Sequence, residues 1–313
     1  MRGMYAVVAI VALLFAASCG GEGGGKVTLH VITPAGQPTP VPADQATPIP
    51  QPELLLSTES VYQAGAILVS LTGQVTAGNV TALGRSIPLS KGSRSLYTFL
   101  PIDTEAPAGA QTMKVDFTTT NGSKGSLSQA FTILATPWTQ DSLTFTPEQV
   151  AKLTDPAVTN TELAQLREVY LKVTPEKLWD GPWLLPLDAP LTARFGEMRS
   201  VNGGPFSGHH SGTDFGAVAG TPLHATNFGV VVFARQLTVR GNIVVINHGG
   251  GLYSAYAHLA SFAVAEGQLV ASGDVIGQVG SSGLSTGAHL HWEIAQGGVL
   301  LDALRFTDGS NGF

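Results

Sequence analysis

Hydrophobic and polar positions change rhythm several times along the chain. From Met4 to Ala17 nearly every position is apolar, whereas no period is sustained between residues 20 and 52. Past residue 53 a strict alternation sets in. "TMKVDFTTT" places Met113, Val115 and Phe117 on one face, "NGSKG" supplies a turn, and "SLSQAFTIL" returns with Phe131 and Ile133 on a matching face, the pattern of a β-hairpin. "AILVSLTG" and "SLYTFLPI" keep the same spacing. Residues 53–135 are therefore expected to form an immunoglobulin-like β-sandwich without an inter-sheet disulfide. The rhythm then turns helical. "TPEQVAKL" offers Thr146 as N-cap, Pro147 at the first helical position and Gln149 at the capping-box position. "TELAQLREVY" spaces Leu163, Leu166 and Tyr170 for one buried face, so residues 136–180 read as a packed helical connector. From residue 181 to 313 short strands return, punctuated by glycines such as Gly267, Gly273, Gly277 and Gly280, which predicts a compact, mostly antiparallel β domain with a groove. The fold class is mostly β.

Composition and charge narrow the function. Charged residues make up 12% of the 313 positions and the formal net charge is −6, so neither a phosphate-tracking surface nor a polybasic membrane patch is indicated, and nucleic-acid binding is set aside. Arg2 followed by the apolar run suits a signal-peptide core over residues 1–18, too short to span a bilayer comfortably. The run ends in "AASCGG", and Cys19 is the single cysteine. This box resembles a bacterial lipoprotein signal, with Ala16 where that pattern usually has Leu, and implies a lipid on Cys19 and a membrane-anchored, extracytoplasmic location in the cell envelope. One cysteine excludes an internal disulfide and a thiolate metal site. Residues 19–52 then read as a Gly/Pro-rich linker, a semi-rigid spacer with a reach on the order of 100 Å.

The chemistry begins with "STGAHLHWEI". Alternate strand residues share a face, so His289 and His291 project together while Leu290 and Trp292 face a core. Taken alone, such a pair is most simply a solvated strand face. "GHHSGTDFGA" adds His210 and Asp214 on one face of an extended segment, with His209 on the opposite parity. One imidazole and one carboxylate from this block, with one imidazole from the H-x-H pair, make a three-ligand metal set that leaves a fourth tetrahedral position open. His258, in the alternating run "GLYSAYAHLA", is a further candidate.

The blocks "LTARFGEMR", "GHHSGTDFGAVAGTPLHA", "RGNIVVINHGGGLYSAYAHL" and "EGQLVASGDVIGQVGSSGLSTGAHLHWEI" together resemble the lysostaphin/LytM-type zinc metallopeptidases that cut peptide bonds in bacterial peptidoglycan. The resemblance spans about residues 180–305. It implies that His210, Asp214 and His291 ligate Zn2+, that His289 and His258 are catalytic, and that peptidoglycan is the substrate. Ser254 stands where the family often has Thr. Either His258 or His289 fits as general base, and the bond cut is left open between a stem-to-stem crosslink and an interpeptide bridge. Imidazole and carboxylate donors favour zinc while tolerating cobalt or manganese. An alternative is a non-catalytic wall-binding activator of another hydrolase, as in relatives that have lost ligands; here all five positions are filled. His248 reads as a hydrogen-bonded structural histidine, His209 as lining the groove entrance and His224 as near its rim or on the surface, while His30 has no assigned role.

Overall fold

The computed structural model describes residues 51–309 and 311. The expected export signal, Cys19 and nearly all of the linker lie outside the described residues. No helix among the described residues is long and apolar enough to cross a membrane.

Two sheets face each other over residues 53–134. One runs in the order Glu53–Leu56, Ala66–Thr72, Leu96–Pro101, Ser90–Lys91, the other in the order Ser60–Tyr62, Lys124–Leu134, Gly109–Thr119, Val75–Ala82, Arg85–Pro88. The hairpin expected around "NGSKG" is formed by Gly109–Thr119 and Lys124–Leu134, with Val115 opposite Leu127 and Phe117 opposite Gly125. Its apolar face meets Ile67, Val69 and Leu71 of the facing sheet in one core. Gly125 has to lack a side chain, because a Cβ there would sit 2.4 Å from the Phe117 ring.

The four-stranded sheet is covered on both faces. Leu96 and Leu100 point into the sandwich core, whereas Tyr97 and Phe99, on the opposite parity, join Trp179, Trp183 and Phe306 in the core of the C-terminal region. Phe99 lies 5.7 Å from Trp179 and 6.1 Å from Phe306 between ring centroids, and Trp183 meets Phe306 edge-on at 5.4 Å. Such aromatic pairs are each worth about 0.5–1.5 kcal/mol beyond their burial. An apolar seam thus makes the sandwich continuous with the C-terminal region.

The first connector helix, α1 (Pro147–Thr154), starts with a complete capping box: Thr146 Oγ1 accepts from the Gln149 N–H and Gln149 Oε1 from the Thr146 N–H. The second, α2 (Pro156–Tyr170), buries Leu166 and Tyr170 as the spacing predicts, but Leu163 is 52% exposed and Glu162 takes the third buried position. The buried line therefore runs i, i+4, i+8 through Glu162, Leu166 and Tyr170, and the acid is tolerated there because its carboxylate accepts from the Val239 and Arg240 N–H groups. Ahead of the helices, the strand Gln140–Leu143 pairs in parallel with Met198–Val201.

The rest folds around one antiparallel sheet whose main path is Leu191–Ala193, Thr213–Gly216, His289–Gln296, Leu252–Phe262, Asn242–Gly249, Gly229–Gln236, Leu269–Val270. Leu290, Trp292 and Ile294 fill its core from one strand. The intervening residues of that strand, His289, His291 and Glu293, face the other way. A groove of about 520 Å³ opens on that side.

Candidate metal centre and groove

Register alone sets two of the expected ligands side by side. The strands Thr213–Gly216 and His289–Gln296 run antiparallel with Asp214 directly opposite His291, and cross-strand neighbours have Cβ atoms roughly 4.5–5.5 Å apart. His210, four residues before Asp214 and anchored by its N–H to Glu197 O, completes the cluster. The three ligand atoms lie close together: His210 Nε2 is 3.0 Å from His291 Nδ1 and 3.2 Å from Asp214 Oδ1, and His291 Nδ1 is 2.8 Å from Asp214 Oδ1. Gly212 makes room for this, since a Cβ there would be 2.8 Å from the His291 ring.

The tautomers are set by the outer partners. His210 Nδ1 faces Arg194 O at 2.9 Å and must donate to it, which leaves Nε2 as a lone pair. His291 Nε2 lies 3.0 Å from Glu293 Oε1 and donates there, which leaves Nδ1 as a lone pair. Two lone pairs and a carboxylate oxygen converging on one point repel one another unless a cation sits between them. Tetrahedral zinc with bonds of about 2.0–2.1 Å holds its ligands roughly 3.3 Å apart, a few tenths of an ångström wider than the spacings found, so the donor set fits that ion. With no ion between the three groups, protons fill that role. Burial raises the Asp214 pKa, but hydrogen bonds from His210 and His291 overcome it and hold the carboxyl far below the usual range. Burial lowers the His291 pKa, yet the carboxylates of Asp214 and Glu293 push it up to about 9.

Behind the cluster lies a buried charged network that spacing does not bring out. Glu293 Oε1 accepts from Arg240 Nε at 3.0 Å and Nη2 at 2.7 Å as well as from His291, and its Oε2 accepts from the Tyr170 hydroxyl at 3.0 Å. Arg240 Nη1 donates to Glu162 at 3.1 Å, so helix α2 anchors the support of a ligand in the sheet. Burial alone would raise the Glu293 pKa; Arg240 and His291 keep it well below the usual carboxylate range. Ligand histidines are commonly oriented this way, by a carboxylate on the second ring nitrogen. Glu293 is findable in the sequence, two residues beyond His291 and on the same strand face, whereas Glu162 and Arg240 are distant in the chain and carry no local signal.

Across the groove stand the other two imidazoles. His258 and His289 have ring centroids 4.7 Å apart, and His258 is 5.9 Å from His291. In a regular strand Tyr256 and His258 would share a face, yet Tyr256 is in the core and His258 in the groove. The cause is His258's left-handed backbone, φ 62°, at the point where the strand leaves His289–Gln296 and pairs with Val275–Val279. A non-glycine residue held there costs about 1–3 kcal/mol, strain of a kind that clusters at functional sites. His258 Nδ1 donates to Ser282 O at 2.7 Å and His289 Nδ1 to Gly287 O at 2.9 Å, so each ring turns its Nε2 away from that anchor. Burial, with His291 and His289 nearby, pushes the His258 pKa down to about 3, so this ring is neutral over the working range.

The remaining histidines separate from the cluster. His248 is buried, with Nδ1 on Phe228 O and Nε2 on the Ser254 hydroxyl. His224 Nδ1 contacts Gly273 O away from the groove, and His209 lines the groove with its Nε2 2.6 Å from Glu105 Oε1 of the sandwich. The connector contributes to the groove wall through Leu143, Phe145 and Leu153, a part that neither the alternation nor the helical period brings out.

The comparisons with known proteins fall on this region. Residues 208–303, which contain His210, Asp214, His258, His289 and His291, match the model of peptidase family M23. The DD-carboxypeptidase/endopeptidase Mpg of Neisseria meningitidis is 49% identical over 84 residues, 27% of this chain and 19% of that protein. The peptidoglycan DD-endopeptidase ShyA of Vibrio cholerae is 42% identical over 96 residues, 31% of this chain and 22% of that protein. The chain therefore spans only about a fifth of the length of these curated relatives. A crystal structure assigned to peptidase M23 from Pseudomonas aeruginosa is similar over more of the molecule, with a TM-score of 0.59 and 25% identity across 79% of this chain and 94% of that one. Residues 208–303 thus carry a peptidase M23 domain.

Proposed function

We propose that the protein is an exported, zinc-dependent endopeptidase that hydrolyses peptide bonds of peptidoglycan, held at the outer face of a membrane by a lipid on Cys19. The observation that carries this reading is the convergence of His210 Nε2, Asp214 Oδ1 and His291 Nδ1 beside two further imidazoles in one groove. Those three atoms would hold the metal. Zinc bound there supplies Lewis acidity and an open coordination position in a site partly closed to water. His258 and His289 supply the proton traffic. The Nε2 of His289 accepts the proton of the attacking water and returns it to the nitrogen of the leaving amine as the C–N bond breaks, and the neutral His258 ring orients that water through its own Nε2. Glu293 and Arg240 keep His291 in the tautomer that offers Nδ1. The names of the relatives, a DD-carboxypeptidase/endopeptidase and a peptidoglycan DD-endopeptidase, support the wall peptide as substrate.

Metal removal tests the reading. Dialysis of the full chain against a chelator is expected to stop release of peptide fragments from purified peptidoglycan, and one equivalent of zinc to restore it. Release that continues undiminished after complete metal removal would overturn it.

A further inference from the structure

The connector helices lie outside residues 208–303, yet their polar side chains end in the loops that build the groove. The turn over residues 237–241 joins the strands Gly229–Gln236 and Asn242–Gly249, and Glu162 of α2 is its outer partner. This buried carboxylate accepts from the Val239 N–H at 2.7 Å, the Arg240 N–H at 3.1 Å and Arg240 Nη1 at 3.1 Å.

The same two residues face the groove with their carbonyls. The peptide unit between Val239 and Arg240 is planar, with N–H and C=O pointing opposite ways, so an N–H held by Glu162 aims Val239 O inward. There it accepts from the Leu284 N–H at 2.8 Å, and Arg240 O accepts from the His258 N–H at 2.9 Å. His258 is the residue kept at φ 62°, so this contact holds a strained backbone in place. Gly241 lets the turn close on Ser282, which a Cβ there would clash with and whose carbonyl accepts from His258 Nδ1. Through its side chain Arg240 also reaches Glu293, and so His291. Helix α1 reaches the remaining imidazole. Gln149, whose Oε1 closes the capping box, donates from Nε2 to Ser285 O at 3.3 Å, and the Ser285 hydroxyl lies 3.2 Å from His289 Nδ1.

One carboxylate and one amide from the two helices thus fix the surroundings of His258, His289 and His291, while His210 is held separately by Arg194 and Glu197. On the metal-centre reading above, we propose that α1 and α2 are part of the catalytic apparatus: Glu162 is a positioning residue for His291 and His258, and Gln149 for His289. The coupling is reciprocal. Docking of α2 that raises zinc affinity requires zinc to tighten the docking of α2 by the same factor.

Zinc titration of the full chain against a competing chelator separates this from a passive connector. Glu162→Gln keeps the side-chain volume but replaces one acceptor oxygen by an NH2 group, so at least one of the three N–H groups loses its partner. It is expected to weaken zinc binding about 5–50-fold and, with the site saturated, to lower kcat on a peptidoglycan-derived peptide about 10–100-fold at nearly unchanged KM. Gln149→Glu retains the capping box, which glutamate also completes, and removes only the donor to Ser285. Zinc affinity should then hold while kcat falls about 3–10-fold. Leu163→Ser, on the exposed side of α2, should move neither quantity. A folded Glu162→Gln that binds zinc as tightly as the wild type overturns the proposal, and Gln149→Glu with undiminished kcat overturns its α1 half. Amide exchange in the wild type makes the comparison without substitution. Zinc loading should slow the Val239 and Arg240 amides at least about fivefold more than that of Val115 in the sandwich, and equal slowing overturns the proposal. Protein that shows these zinc effects but cuts no wall peptide would refute the endopeptidase reading and leave the positioning roles at the metal standing; protein that binds no zinc refutes both.

Discussion

The sandwich and the M23 region are both well packed, but they bury different things. The sandwich core is aliphatic and aromatic, and the buried polar residues of its sheets are few, Ser90 and Thr98. The M23 region buries His210, Asp214, His258, His291 and Glu293 within a few ångströms of one another. Burying paired charges adds little to stability compared with apolar packing, and removing one partner is costly. The contrast therefore separates a part built to hold shape from a part that keeps polar groups desolvated for chemistry, and it can be broken by substitution.

The largest effect belongs to the ligands. His291→Ala should lower zinc from about one ion to under ~0.1 per chain by elemental analysis, and hydrolysis by at least ~10³-fold, as loss of Lewis-acid stabilisation worth several kcal/mol requires. In the seam, Phe99→Ala should cost about 3–5 kcal/mol in denaturant unfolding while zinc per folded molecule stays constant. A drop in zinc stoichiometry there would show that the two regions are not separable in function. His248 tests the polar side without touching the metal. Burial holds its pKa down to about 4 against an ordinary 6.5, so the native state binds this proton less readily than the unfolded chain. Its stability is intact above pH 6.5 and falls as pH drops toward 4, by on the order of 3 kcal/mol, and His248→Gln should flatten that slope. Glu293→Gln should weaken zinc affinity by ~10–100-fold in competition titrations with a chelator, with the three ligands still present. Least of all, Leu163→Ser should change stability by no more than ~0.5 kcal/mol, because that side chain is exposed.

The two regions also differ in how legible they are. Alternation locates the hairpin through Met113, Val115, Phe131 and Ile133 because each inward residue is apolar and its neighbour polar. Alternation likewise puts His289 and His291 on one face. It fails at His258, where a left-handed residue turns the ring to the groove against the parity of Tyr256. The helical period of α2 is right for Leu166 and Tyr170 and misses Glu162, since a pattern of apolar positions has no place for a buried acid whose partner lies 78 residues away. The wall formed by Leu143, Arg199 and Val201 depends on a parallel pairing between distant segments, and pairing of this kind leaves no mark in either segment alone.

The central claim is that three convergent ligand atoms and two facing imidazoles cut wall peptides. Its most direct test is to incubate the zinc-loaded full chain with purified peptidoglycan and identify the released fragments by mass spectrometry, beside His289→Ala. New peptide termini that disappear in the variant are the expected result. Intact peptidoglycan in the presence of fully zinc-loaded protein would contradict the claim and favour a wall-binding activator in its place.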